Sequence, residues 1–170
     1  MNISWIDSDS DLQSLLQEMA CCDRYALDTE FHRERTYFPQ LALIQIKHNG
    51  KIFLIDPVAV DLSLFADLFA SDSLCVLHAA QQDLEVLNHA CGSAPRRIFD
   101  TQIAAGFIGM STPSLSSLIL SELKVSISKG DRLTDWLRRP LTADQKTYAA
   151  TDVEHLFDIQ DNLEKRLNEL

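Results

Sequence analysis

The chain has 170 residues, 46% of them apolar, which suits one globular domain with a full core. Its formal net charge of −10 argues against a broad basic surface for nucleic acid. No apolar run approaches the roughly 20 residues of a membrane helix, and the N-terminus MNISWIDSDSDLQ lacks a secretory pattern, so the expectation is a single soluble, cytoplasmic domain over 1–170.

Residues 2–5 read as a short first strand. Ser8 and Asp9 offer N-caps for a helix carrying Leu12, Leu15, Leu16 and Met19, at i, i+3, i+4, i+7 spacing. RYALDTEF (24–31) reads as a strand. LALIQIKH (41–48) and KIFLIDP (51–57) flank Asn49-Gly50, a hairpin signal because both residues tolerate positive φ. The first core strands therefore form an antiparallel group. Leu62, Phe65, Leu68 and Phe69 mark a helix, LCVLH (74–78) a short buried strand, and residues 80–90 a further helix. Phe99-Asp100-Thr101 turns into another helix, and Pro113-Ser114 opens one more. Residues 125–141 are irregular. Thr142-Ala-Asp-Gln145 has the capping-box pattern, from which one long helix should run to about residue 168. This order predicts an α/β or α+β fold with a mixed sheet. Cys21, Cys22, Cys75 and Cys91 form no CxxC pair and read as thiols in a reducing compartment, not as a zinc site or disulfide framework.

Three places carry unusual acids. Asp28 and Glu30 lie at i and i+2 of a strand, so they share one face while Leu27, Thr29 and Phe31 take the other. Taken alone, such a pair reads as a solvated face; a divalent cation between the carboxylates is the other reading. Asp83 falls early in its helix, where the helix dipole favours an acid. Tyr148 and Asp152 are four apart on a helix, hence on one face, and Ala149 and Ala150 allow a close approach beneath them. As an ensemble, four carboxylates on a strand and two helices can hold two hard cations, which prefer oxygen ligands. Two such ions suit phosphodiester cleavage.

The segments LDTEF (27–31), HAAQQDL (78–84) and YAATDV (148–153) resemble the ribonuclease D branch of the DEDD exonucleases, in the subgroup with tyrosine in its last motif. FDTQIAAGFIG (99–109), SLSSLILSEL (114–123) and DWLRRPLTADQKTYAATDV (135–153) extend that resemblance over nearly the whole chain. It implies a ribonuclease H-like mixed sheet flanked by helices. It also implies Asp28, Glu30, Asp83 and Asp152 as ligands of two divalent cations, Mg²⁺ or Mn²⁺. Tyr148 would position the nucleophilic water, with Glu30 as that water's partner, and the products would be nucleoside 5′-monophosphates cut from a 3′ end. Ribonuclease D proper continues into helical nucleic-acid-binding domains, whereas this sequence stops at Leu170.

Residues 122–139 hold five basic side chains against three acidic ones, and residues 140–170 three against seven. Lys129, Arg132, Arg138 and Arg139 are therefore candidates for phosphate contacts, against the plainer reading of a solvated loop. His32, Arg33 and Arg35 follow the first motif, and Phe31, Tyr37 and Phe38 offer rings on which a terminal base could stack. His78 reads as a structural histidine. The expected partner is single-stranded or 3′-overhanging nucleic acid, with RNA favoured. A DNA exonuclease of the same chemistry and a non-catalytic module of the same shape are the alternatives.

Overall fold

The computed structural model describes residues 1–33, 37–127 and 134–170. Strand β1 (Ile3–Ile6) leads into helix α1 (Asp9–Met19), whose N-cap is Ser8. Strands β2 (Arg24–His32), β3 (Gln40–His48) and β4 (Lys51–Ile55) follow. The β3–β4 hairpin turns on Asn49 and Gly50, at φ 49° and 75°, as the Asn-Gly signal required. The expected helix after Pro57 is a 3₁₀ turn (Leu62–Phe65) running into a short α2 (Ala66–Ala70). Strand β5 (Leu74–Leu77) and helix α3 (Gln81–Cys91) come next.

Phe99 and Asp100 do more than open a helix. They belong to a sixth strand, β6 (Ile98–Asp100), too short to show a period of two, before α4 (Thr101–Phe107). Helix α5 (Leu115–Leu123) is capped by Ser114. Thr142 and Gln145 form both bonds of the capping box at the start of α6 (Ala143–Glu154). The single long helix expected from there is broken at His155, and α7 (Leu156–Leu167) continues. The two halves serve different cores. Ala149, Ala150 and Val153 seat α6 on the sheet, whereas Ile159 and Leu163 pack α7 into a cluster with α4 and α5. The Lys47 ammonium donates to the Glu154 carbonyl beside the break.

The six strands form one mixed sheet in the order β1-β4-β3-β2-β5-β6, with β3 antiparallel to its neighbours. Odd-numbered β2 residues such as Tyr25 and Leu27 join the core beneath α1, the 3₁₀ turn and α3. Even-numbered Ala26 faces α6. Strand β2 pairs with β5 only as far as Ala26–Val76, so residues 28–30 overhang the end of β5. There β2 carries a bulge between Glu30 and Phe31, a feature that re-aims side chains.

Candidate active site

The overhang decides the site. Beyond Ala26, β2 has β3 on one side and the β5–α3 connection on the other. That connection is short, so the first turn of α3 arrives beside Asp28. The connection is held by Asp100, whose carboxylate accepts from the backbone N–H of Ala79 (3.1 Å), Ala80 (2.9 Å), Gln102 (2.8 Å) and Ile103 (3.3 Å). One side chain thus fixes both the loop feeding α3 and the start of α4. Ala79 takes φ 57°, a left-handed conformation costly for a residue with a Cβ.

His78 is fixed from the same direction. The Thr101 hydroxyl donates to the Leu77 carbonyl (3.0 Å), and His78 Nδ1 lies 2.9 Å from that hydroxyl, so the ring is tied to the start of α4. Burial holds the imidazole below its usual pKa.

Asp28, Glu30 and Asp152 converge. One carboxylate oxygen from each lies within 4.8 Å of the others. Oxygens around a single Mg²⁺, Mn²⁺ or Ca²⁺, bound at about 2.1–2.4 Å, are at most about 4.2–4.8 Å apart. The trio therefore fits a hard divalent cation in both donor chemistry and spacing. Asp83 is buried, at 7% exposure, and its Oδ1 accepts from the Thr29 hydroxyl at 2.5 Å. Thr29 was expected only to occupy the opposite face of the strand; it also anchors the fourth acid. Burial pushes the Asp28 carboxyl well above its ordinary range, and the charges of Asp83, Asp152 and Glu30 push it further in the same direction. Burial raises Asp83 to about 6, although Thr29 and backbone N–H groups pull the other way. Clustered acids that cannot all be charged cheaply are the electrostatic counterpart of a cation site.

Tyr148 lies one turn before Asp152 on α6, half-buried, its ring 6.0 Å from that of Trp136. It lines a cavity of about 310 Å³ together with Asp28, Glu30, His78 and Asp152. Tyr148 and Asp152 also line a second cavity of about 440 Å³ that continues along α6 past Thr142, Thr147 and Thr151. The acids thus stand at one end of a groove whose farther wall is rich in hydroxyls.

The proposed substrate contacts separate. Lys129, Arg132 and Arg35 lie outside the described residues. Arg138 is exposed. Arg139 is turned inward, against the expectation of a phosphate contact. Its Nε and Nη2 donate to the two Asp56 oxygens (2.7 and 2.8 Å), and Nη2 also donates to the Ala42 carbonyl (2.7 Å). Nη1 donates to the carbonyls of Trp136 (2.7 Å) and Arg138 (3.1 Å), so all five N–H donors are engaged. Burial alone would raise the Asp56 carboxyl, but the bonds from Arg139 and from the Val58 N–H bring it below its ordinary range. Nothing in the sequence pairs residues 56 and 139. Asp100 could have been found, because an acid before Thr-Gln-Ile is an N-cap signature. Arg33 pairs with Glu85 at 2.5 Å, Phe31 packs against the core, and Phe38 stacks on His89 with centroids 4.2 Å apart.

Comparison with known proteins gives one answer. A family model described as 3′-5′ exonuclease matches residues 3–168. The ribonuclease D of Xanthomonas oryzae pv. oryzae is 44% identical over 168 residues, covering 97% of this chain and 46% of that protein. The crystal structure of Escherichia coli RNase D, described as an exoribonuclease involved in structured RNA processing, superposes with a TM-score of 0.94 at 38% identity, over 99% of this chain and 46% of that one. Brucella melitensis NrnC, solved with bound Mg²⁺, gives 0.83 at 26% identity, over 99% and 83%. A second NrnC structure, with bound pGG, gives 0.82 at 27% identity over the same shares. The chain spans just under half the length of the ribonuclease D proteins it matches.

Proposed function

This chain belongs to the 3′-5′ exonuclease family, and on that premise we propose that it is one catalytic domain hydrolysing phosphodiester bonds at the 3′ end of RNA in the cytoplasm, releasing nucleoside 5′-monophosphates. The observation that carries the reading is the convergence of Asp28, Glu30 and Asp152 within 4.8 Å, at a groove that Tyr148 also lines. With Asp83 beside Asp28, these acids would hold two divalent cations, Mg²⁺ or Mn²⁺, whose charge stabilises the phosphorane-like charge that develops on the scissile phosphate.

The chain's own groups do the rest. Asp83 is held against Thr29, so that carboxylate needs little reorganisation at the moment of reaction. Tyr148, braced by Trp136, orients the attacking water with its hydroxyl, and Glu30 takes part in accepting that water's proton. The hydroxyl-lined groove past Thr147 and Thr151 accommodates a single strand or a 3′ overhang, with exposed Arg138 at hand for phosphate. RNA is favoured because the relatives at about 40% identity are ribonuclease D proteins and NrnC has been captured with pGG.

The test uses RNA and DNA oligonucleotides labelled at either end. With Mg²⁺ or Mn²⁺, a 3′ label on RNA should leave at once as a mononucleotide, and a 5′ label should shorten stepwise. Chelation should stop both, and excess cation should restore them. Internal fragments, or a 5′ label released first, would sink the assignment; faster loss from DNA would transfer the substrate to DNA and keep the chemistry.

A further inference from the structure

Gln45 of β3 stands directly opposite Asp28 in the β2–β3 register, with Leu54 of β4 on its other flank. Residues paired in this way point to the same face, their Cβ atoms about 4.5–5.5 Å apart. Here that face is the one covered by α6. Gln45 has 0% exposure, and neither its Oε1 nor its Nε2 has a protein hydrogen-bond partner. Other buried polar side chains are satisfied: Asp56 by Arg139, Asp83 by Thr29, Gln160 by Arg24. Among the described residues, Ser93 Oγ is the other orphaned side-chain atom.

A buried amide without partners destabilises a fold, and a methionine or leucine would fill the same space without that cost. An amide can do one thing there that neither replacement can, which is to donate to the carboxylate across the strand. A carboxylate oxygen of Asp28 lies within 4.8 Å of one from Glu30 and one from Asp152, and Asp28 also feels the charge of Asp83. A carboxylate has about four lone-pair positions, more than cations in front of it use, and a donor on its flank selects which of them faces outward. The other residues of β3 on this face are unsuited. Leu43 is apolar, and Lys47 is committed to the Glu154 carbonyl.

We propose that Gln45 is a positioning residue for Asp28: with cations bound, its side-chain N–H donates to the Asp28 carboxylate, directly or through one buried water, and fixes the orientation in which that carboxylate meets them. This rests on the metal-site reading above. Gln45 touches neither substrate nor cation and acts through Asp28. The same amide therefore weakens the fold and strengthens the site, and the two effects can be measured apart.

The experiment compares wild type, Gln45→Met, Gln45→Leu and Asp28→Asn. Thermal unfolding is followed in chelator, Mn²⁺ binding by calorimetry, and turnover on single-stranded RNA. In chelator, Gln45→Met should melt at or above the wild-type temperature. Its Mn²⁺ affinity should fall by about tenfold or more, and kcat should fall with it while KM for RNA stays within about twofold. Unchanged Mn²⁺ affinity in Gln45→Met would overturn the proposal while leaving the metal site standing. Melting well below wild type in chelator, in both the Met and Leu variants, would also overturn it, because the amide would then serve the fold. If wild type binds Mn²⁺ no more tightly than Asp28→Asn, the metal-site reading itself fails, and the role of Gln45 falls with it.

Discussion

Asp28 is a residue whose charge the fold does not welcome. Both Asp28 and Asp83 sit above their ordinary pKa, Asp83 at about 6 against roughly 3.9 in an unfolded chain. A carboxyl raised in the folded state favours folding when it is protonated. Its contribution is present in full below about pH 4 and is lost as pH climbs through about 6. For Asp83 that loss is about 3 kcal/mol, and Asp28 adds to it in the same direction. In chelator, the melting temperature should therefore drop between pH 4.5 and pH 7, and divalent cation at pH 7 should recover it. Asp28→Asn should abolish nearly all turnover and yet melt higher than wild type in chelator at pH 7. A variant that melts lower would mean that Asp28 is stabilised by something other than cations. Tyr148 gives the opposite separation. In the proposed role its hydroxyl acts on water, so Tyr148→Phe should lower kcat by about two to three orders of magnitude and leave Mn²⁺ affinity as it was. Loss of Mn²⁺ binding would show that the ring holds up α6.

At the scale of elements, the parts of the site that follow a local period were legible in the sequence. Strand parity put Asp28 and Glu30 on one face, and helix spacing put Tyr148 one turn from Asp152. What could not be read was anything set by strands of unequal length. Asp83 comes within electrostatic reach of Asp28 where β2 outruns β5, and no window of sequence contains that mismatch. The break at His155 arises because two cores, set apart in the fold, draw on one amphipathic stretch. Arg139 misled for a related reason: a charge count along residues 122–139 is blind to Asp56 on the far side of the sheet edge. The neighbouring arginines now make a paired test. Arg139→Lys cannot reproduce five N–H bonds and should destabilise the protein by about 3 kcal/mol, seen as a lower melting temperature. Arg138→Ala should leave melting alone and raise KM severalfold. If instead Arg139→Lys melts normally and binds RNA poorly, the guanidinium belongs to the substrate after all.

For the whole molecule, the proposed function raises the question of how a chain of net charge −10 would hold a polyanion. Phosphate contacts supply most non-specific affinity, and that affinity falls with salt in proportion to their number. Arg139 and Arg33 are already paired to Asp56 and Glu85, which leaves Arg138 as the exposed candidate for phosphate in the basic stretch among the described residues. Binding in chelator should be weak with a shallow salt slope. Divalent cation should strengthen it by neutralising the acids, and a competitor trap should stop degradation after a few cuts. Fluorescence anisotropy across a salt series reads the first two expectations. A steep slope with processive decay by the monomer would contradict them.

The acids come from β2, α3 and α6, so Asp28 and Asp152 are far apart along the chain although their carboxylate oxygens come within 4.8 Å. That separation has a meaning in time. During synthesis at about 5–20 residues per second, roughly 6–25 seconds pass between the addition of Asp28 and that of Asp152. For nearly all of that interval a nascent chain has at most three of its four acids, no Tyr148, and no complete α6 to cover the sheet beside them. On the proposed function, the cutting site is completed late, as one event, with the docking of that helix.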